Sequence, residues 1–221
     1  MKLFDWLLII GITLLNLIYS ILQKDFDVVG SLAAVSGVVC VVLVAKGNIL
    51  NYLFGLINVS LYAYIAFKAA LYGDAVLNAA YYLPMQFIGF YLWTKRRQNK
   101  NTLFVKAKRM NSKQRTWLIV ISAVLVLIVG LILDYLKDPQ PYKDSATTVL
   151  SVIAMFIMVR TFMEQWFLWI IVNVISIVMW VFAFINGESH SILMIMMWCA
   201  YLLNSINGWL VWNKLSKARV D

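Results

Sequence analysis

Asparagine, glutamine, tyrosine and tryptophan recur here inside long apolar runs, where a polar side chain is costly and calls for a reason. Asn173, Ser176 and Trp180 follow one another at spacings of three and four, hence on one face of a helix, and Trp169 extends that face by a turn. Asn58 lies midway through an earlier run with Tyr62 one turn on. Tyr81, Tyr82 and Gln86 flank Pro84 in the next run, and Trp198, Tyr201, Asn204, Ser205 and Asn207 fill the last. Amides both donate and accept, so they suit hydroxyls and carboxamides, while aromatic faces suit a flat ring, above all a cationic one. That chemistry recognises a small polar ring compound, such as a nucleoside-like vitamin, without breaking its bonds. Gln86, Asn173 and Trp180 lead the candidates for substrate contact, with Asn58, Tyr82, Trp169, Ser176 and Asn207 beside them. For each alone a plain packing role competes, because interhelical hydrogen bonds by amides are a common device in membranes, worth ~0.6–2 kcal/mol. Trp93, Trp117, Trp166 and Trp212, near run ends, read as interfacial anchors.

Missing residue types narrow the chemistry further. No Asp or Glu sits in the central part of any apolar run, so the usual carriers of proton coupling are absent. No Gly-x-x-x-x-Gly-Lys-Ser/Thr loop offers nucleotide-driven transport. No nucleophile stands beside a base and no metal-ligand spacing occurs, so neither an enzyme, a metal site nor a bound cofactor is expected. Cys40 and Cys199 both lie in apolar runs and read as small buried hydrophobes. The single histidine, His190, reads as a plain loop residue.

The elements that position these side chains must be membrane helices. Of 221 residues, 63% are hydrophobic and 13% charged, against roughly 25% charged in a soluble domain. Such a chain cannot cover a water-facing surface, and in lipid only helices or closed barrels satisfy the backbone. Period-2 alternation is absent, whereas runs long enough to cross ~30 Å of hydrocarbon recur. Seven spans are predicted: Val28–Ala45, Ile49–Ala69, Asp74–Thr94, Thr116–Tyr135, Ser145–Met163, Gln165–Asn186 and His190–Trp212.

Nine of the nineteen basic residues fall between Lys95 and Arg115, a stretch without a single acid. The net charge of +9 therefore marks a cytoplasmic loop and not nucleic-acid binding. With 95–115 inside, the tail bearing Lys214, Lys217 and Arg219 also lands inside. Before the spans, Leu3–Leu22 carries Asp5, Thr13, Asn16, Ser20 and Gln23 within a stripe of about 80°. This helix either lies in the outer interface or spans with its stripe on the bundle; an uncleaved helix packed on the core is favoured over a cleaved signal peptide.

The two ends of the chain repeat one another. Leu56-Ile57-Asn58-Val59 answers Ile171-Val172-Asn173-Val174, and Gly89-Phe90-Tyr91-Leu92-Trp93-Thr94-Lys95 answers Gly208-Trp209-Leu210-Val211-Trp212-Asn213-Lys214. Tyr82 and Tyr201 each stand seven residues before those glycines. The expected organisation is an N-terminal helix (1–27), a three-helix repeat (28–94), the basic cytoplasmic loop (95–115), a linker helix with an external loop (116–144), a second three-helix repeat (145–213) and a cytoplasmic tail (214–221). An odd linker makes both triplets run in the same direction, a design known among transporters such as the SWEET sugar carriers, with substrate near mid-membrane between the halves.

These residues resemble the PnuC family of nicotinamide riboside transporters over about residues 28–215. The resemblance is carried by Gly55-Leu-Ile-Asn58 through Ala63-Tyr-Ile-Ala66-Phe-Lys-Ala69, by Leu71-Tyr-Gly-Asp74-Ala, and by Gln86-Phe-Ile-Gly89-Phe-Tyr91-Leu-Trp93. In the second half it rests on Trp166-Phe-Leu-Trp169-Ile-Ile-Val-Asn173 and Asn204-Ser-Ile-Asn207-Gly208-Trp. It implies an all-α, SWEET-like three-plus-one-plus-three bundle in the bacterial inner membrane. It also implies facilitated uptake of nicotinamide riboside, the product being trapped by a cytosolic kinase, with Gln86, Asn173 and Trp180 the best matches to the family's binding pattern. A homo-oligomer is the expected assembly. Unlike the SWEET carriers, the first and fifth predicted spans contain no proline, so gating would rely on whole-helix rocking or on Pro84. Relatives that carry thiamine or riboflavin leave the vitamin open, and a channel or a non-transporting scaffold or sensor is the alternative of another class.

Overall fold

The structure, a computed structural model, describes residues 3–23, 27–68, 72–187 and 191–217. His190 and Ala69 lie outside these, as do the side chains of Asn16, Ser20 and Gln23. The described residues are helical with no strand, and they fall into two compact units, Met1–Lys106 and Ala107–Asp221.

The first unit holds α1 (Leu3–Gln23), α2 (Val28–Lys46), α3 (Asn51–Lys68) and a third rod made of α4 (Tyr72–Val76), a π-helical segment (Leu77–Tyr82) and α5 (Leu83–Lys95). Asp27 starts α2 by accepting from the Gly30 amide at 2.9 Å. Gly47 ends it in the left-handed conformation (φ 68°), its N–H turned back on the Leu43 and Val44 carbonyls, a reversal that favours glycine. Asp5, fully buried near the start of α1, pairs at 2.7 Å with Lys46 at the end of α2. The two helices therefore run antiparallel.

The second unit holds α6 (Ser112–Tyr135), α7 (Pro141–Val159), α8 (Gln165–Ile185) and α9 (Ser191–Leu215). Its core is Leu150, Ala154, Ile157, Leu168 and Val172, with Trp169 and Trp198 packed against them. Among the described residues five helices, α2, α6, α7, α8 and the Met194–Leu215 part of α9, are long and apolar enough to cross a membrane. Large apolar residues stay exposed on α6, Ile119 at 68% and Leu127 at 57%, as expected where lipid is the solvent.

Two helices differ by four residues from the sequence expectation. Helix α6 begins at Ser112 and not Thr116, because Asn111 and Gln114 form a capping box with bonds of 2.8 and 3.0 Å. Helix α7 begins at Pro141 and ends at Val159, four residues ahead of Ser145–Met163 at both ends. Proline at the first helical position is pre-shaped for a start. At the other end Thr161 reverses the chain in the left-handed region (φ 62°), strained for a β-branched residue.

The basic segment is likewise more than a loop. In the first unit the Val105 amide donates to the Gly47 carbonyl and Ile49 to Leu103, both at 2.9 Å. In the second, Lys108 donates to Thr161 at 2.7 Å and accepts from Met163 at 2.9 Å. Glu164, nearly fully buried, takes the Arg115 guanidinium at 2.9 Å and the Met110 amide at 3.1 Å. Arg109 reaches Ser216 and Asn213 at the end of α9. Each of these helix turns is thus held by its own portion of the segment.

Candidate functional site

The repeat seen in sequence has a packing counterpart in each unit. In the first, the Tyr52 ring lies over Gly89, where an added Cβ would strike two ring atoms and the phenolic oxygen, and meets Trp93 edge-on at 5.1 Å. In the second, the Trp166 ring lies over Gly208 in the same way and meets Trp212 at 6.2 Å. Trp93 and Trp212 are fully buried, so the anchoring role expected for them at a lipid–water interface is replaced by a lock between helices. Trp166, 2% exposed, is corrected likewise.

Within the first unit, Gln86 packs on Gly55, with Tyr82 one turn before Gln86 and Asn58 one turn after Gly55. The Gln86 amide is buried against Gly55, where a Cβ would meet its Oε1. Its Nε2 donates to the Tyr82 carbonyl one turn back at 3.1 Å, and Oε1 has no hydrogen-bond partner. A buried, unpaired amide oxygen costs about 1–3 kcal/mol and is a ready acceptor for an N–H or O–H group. Asn58, one turn beyond Gly55, donates across to the Ala33 carbonyl of α2 at 2.8 Å, with Gly37 leaving room for its amide. Its N–H is therefore committed to holding α2 on α3. Tyr82 ends the π segment, its ring edge-on to Tyr81 at 5.2 Å.

The π segment precedes Pro84. Leu83 donates to the Asn78 carbonyl, five residues back, and Asn78 donates its side-chain amide to the Asp74 carbonyl at 2.9 Å. A wider turn there accommodates the proline, which lacks an N–H and would crowd a normal turn.

In the second unit, Asn173 and Ser176 are buried on α8, and Asn173 Nδ2 donates to Ser205 Oγ of α9 at 2.9 Å. Ser205 was noted in sequence only as one of several polar residues on its helix. Trp169 belongs to the apolar core beside Trp198, which meets Tyr201 edge-on at 5.8 Å. Asn207 is half-buried with no partner for its Nδ2. Trp180 stands two turns beyond Asn173, ~10 Å along the axis. It lines a cavity of about 470 Å³ with Met179 and Phe182 of α8, Asn186 just past its end, and Gln140 and Lys143 from the start of α7. Gln140, Lys143 and Asn186 had no place among the expected site residues. Residues 136–144 read as an external loop, although Pro141 is a legible helix start.

Each unit therefore offers buried amides beside aromatic rings, and among the described residues no group of His, Cys, Asp or Glu could hold a metal. Charged residues of the described helices stand within a turn or so of their ends. The arrangement can bind a neutral or cationic polar ring compound and has no group placed to cleave one.

Known proteins agree with this reading. A crystal structure described as the vitamin B3 transporter PnuC is similar with a TM-score of 0.80 and 37% identity, covering 98% of this chain and 93% of that one. The nicotinamide riboside transporter PnuC of Neisseria mucosa is 42% identical over 192 residues, 85% of this chain and 72% of that protein. That of Haemophilus influenzae is 36% identical over 201 residues, 90% of this chain and 85% of its own length. The family model described as nicotinamide mononucleotide transporter matches residues 27–214, and the chain belongs to this family of multi-pass membrane transporters, not enzymes.

Proposed function

We propose that this chain carries nicotinamide riboside across the bacterial inner membrane by facilitated diffusion, alternating access without ion coupling. The observation that supports this most is the confinement of charge to helix ends while buried amides occupy the spans. The family description names the mononucleotide, whereas the curated relatives are named for the riboside. A phosphomonoester would need cationic partners in the span, and the described spans offer none there, which favours the riboside. Phosphorylation by a cytosolic kinase would then trap the product.

In this reading the pyridinium ring stacks on Trp180 or a facing tyrosine, and the carboxamide bonds Gln86 or Asn173. Ribose hydroxyls reach Asn207 and the oxygen of Asn58, with Tyr82, Trp169 and Ser176 shaping the site. The basic segment 95–115 and the C-terminus lie in the cytoplasm, and the Asp5–Lys46 pair supports α1 as a further span starting there. The recurring ring–glycine–tryptophan lock supports a three-plus-one-plus-three, SWEET-like pair of parallel repeats. The bare apolar face of α6 suits a homo-oligomer.

Isothermal titration of the purified chain with nicotinamide riboside, nicotinamide mononucleotide, thiamine and riboflavin, joined to uptake into proteoliposomes, tests the reading. Selective, saturable riboside uptake is expected. Trp180→Ala should weaken binding about two- to thirtyfold, the equivalent of a lost stacking or cation–π contact of ~0.5–2 kcal/mol. Binding of thiamine or riboflavin instead would move the substrate, unsaturable flux would make the protein a channel, and absence of any flux would leave a scaffold or sensor.

A further inference from the structure

The cavity beside Trp180 contains a charge that the proposed transport does not use. Lys143, half-buried in the first turn of α7, donates to Gln140 Oε1 at 2.8 Å, and its ammonium lies 4.9 Å from the centre of the Phe182 ring. It is the charged residue among those lining the cavity. Asp138, in the preceding loop, accepts from the Gln140 backbone amide at 2.7 Å, and Asp144 follows Lys143 on α7. The Lys143 ammonium thus occupies an aromatic and amide setting of the kind that would hold a pyridinium.

Resting on the riboside reading, we propose that Lys143 is a specificity-determining residue that sorts ligands at this cavity by their charge. A cationic ring entering beside Trp180 must approach a fixed ammonium and compete with it for the Phe182 face and the Gln140 oxygen. A neutral ring meets no such penalty. A ligand bearing a phosphate gains from the same charge, so the cavity tolerates at its mouth an anion that the spans cannot pass. The Gln140 contact tethers the ammonium over the cavity instead of letting it swing into water, which keeps its influence local. Lys143 therefore lowers the affinity for the transported cation and eases its release.

The experiment compares wild-type protein with Lys143→Met and Lys143→Arg by titration with three ligands that share the nicotinamide–ribose frame and differ in charge. These are oxidised nicotinamide riboside (a cation), its reduced dihydropyridine form (neutral) and nicotinamide mononucleotide. At ~8 Å in a partly solvated site one unit charge is worth about a three- to tenfold change in affinity. Lys143→Met should bind the oxidised riboside tighter by about that factor and the mononucleotide weaker by a similar one, leaving the reduced riboside within about twofold. Lys143→Arg should keep the wild-type order, which separates charge from shape and from folding. A change shared equally by all three ligands, or no change in any, overturns the assignment while leaving riboside transport standing. Failure of the wild-type protein to bind the riboside at all overturns both.

Discussion

Helices α2–α5 of the first unit and α7–α9 of the second are alike at one end and differ towards the other. In each, the helix turn beside the basic segment carries a left-handed residue, Gly47 or Thr161, and is held by backbone bonds from that segment. In each, the next helix opens with a buried amide donating three residues back, Asn51 to Asn48 and Gln165 to Phe162, followed by a ring seated on a glycine of the third helix. Beyond that lock the likeness ends. The first repeat breaks its third helix with a π segment and Pro84, while α9 runs unbroken for 25 residues. Asn58 spends its amide on the backbone of α2, whereas the matching Asn173 turns to a side chain, Ser205. What is duplicated is scaffold; what has diverged lies where a substrate would be held and moved.

The largest effect is expected from breaking what the repeats share. Trp93→Ala and Trp212→Ala each remove a fully buried indole, which should destabilise the protein by about 3–5 kcal/mol, and by similar amounts. Melting in detergent, followed by size-exclusion fluorescence, measures this. A large inequality between the two would mean the lock is not the common scaffold. Next in size, Pro84→Ala targets a difference. If the π segment is the pivot of the first repeat, the variant should slow maximal uptake about tenfold, ~1.4 kcal/mol on the barrier, with riboside affinity little changed. Loss of affinity with the rate preserved would place the π segment in binding instead. The smallest effect concerns the paired asparagines. Asn58→Ala should cost about 1 kcal/mol of stability through its helix contact and weaken riboside binding only about twofold, since its oxygen is one of several hydroxyl partners. Asn173→Ala should weaken binding more than stability, and equal losses of binding would show that the two asparagines serve the substrate alike.

Much of this comparison is legible in the sequence because lipid leaves the chain few choices. Apolar run length sets the helices, and the spacing of Gly89 with Trp93 and of Gly208 with Trp212 announces the repeat. The contacts behind that spacing are not legible, since Tyr52 and Trp166 are different residue types doing one job. Pro84 advertises a bend, but whether it is met by a kink or a wider turn depends on where the preceding carbonyls find partners. The basic run drew attention to its charge and hid its geometry: residues 103–108 pair by backbone atoms, which every residue has, so side-chain composition carries no trace of it. Lys143 was hidden by a boundary, because a lysine between Pro141 and Asp144 reads as loop until the helix is seen to begin at the proline.

The backbone pairing of the basic segment divides neatly at Lys106 and Ala107. Every bond made before that junction, Val105 to Gly47 and Lys106 to Arg96, closes within the first unit, and every bond after it, Lys108 to Thr161 and Met163, closes within the second. A polypeptide severed there would leave each fragment with its own fastening intact and no strand end torn from a partner. The chain is in this sense two self-fastened pieces written as one, and the peptide bond joining them is where a split or permuted version could be cut.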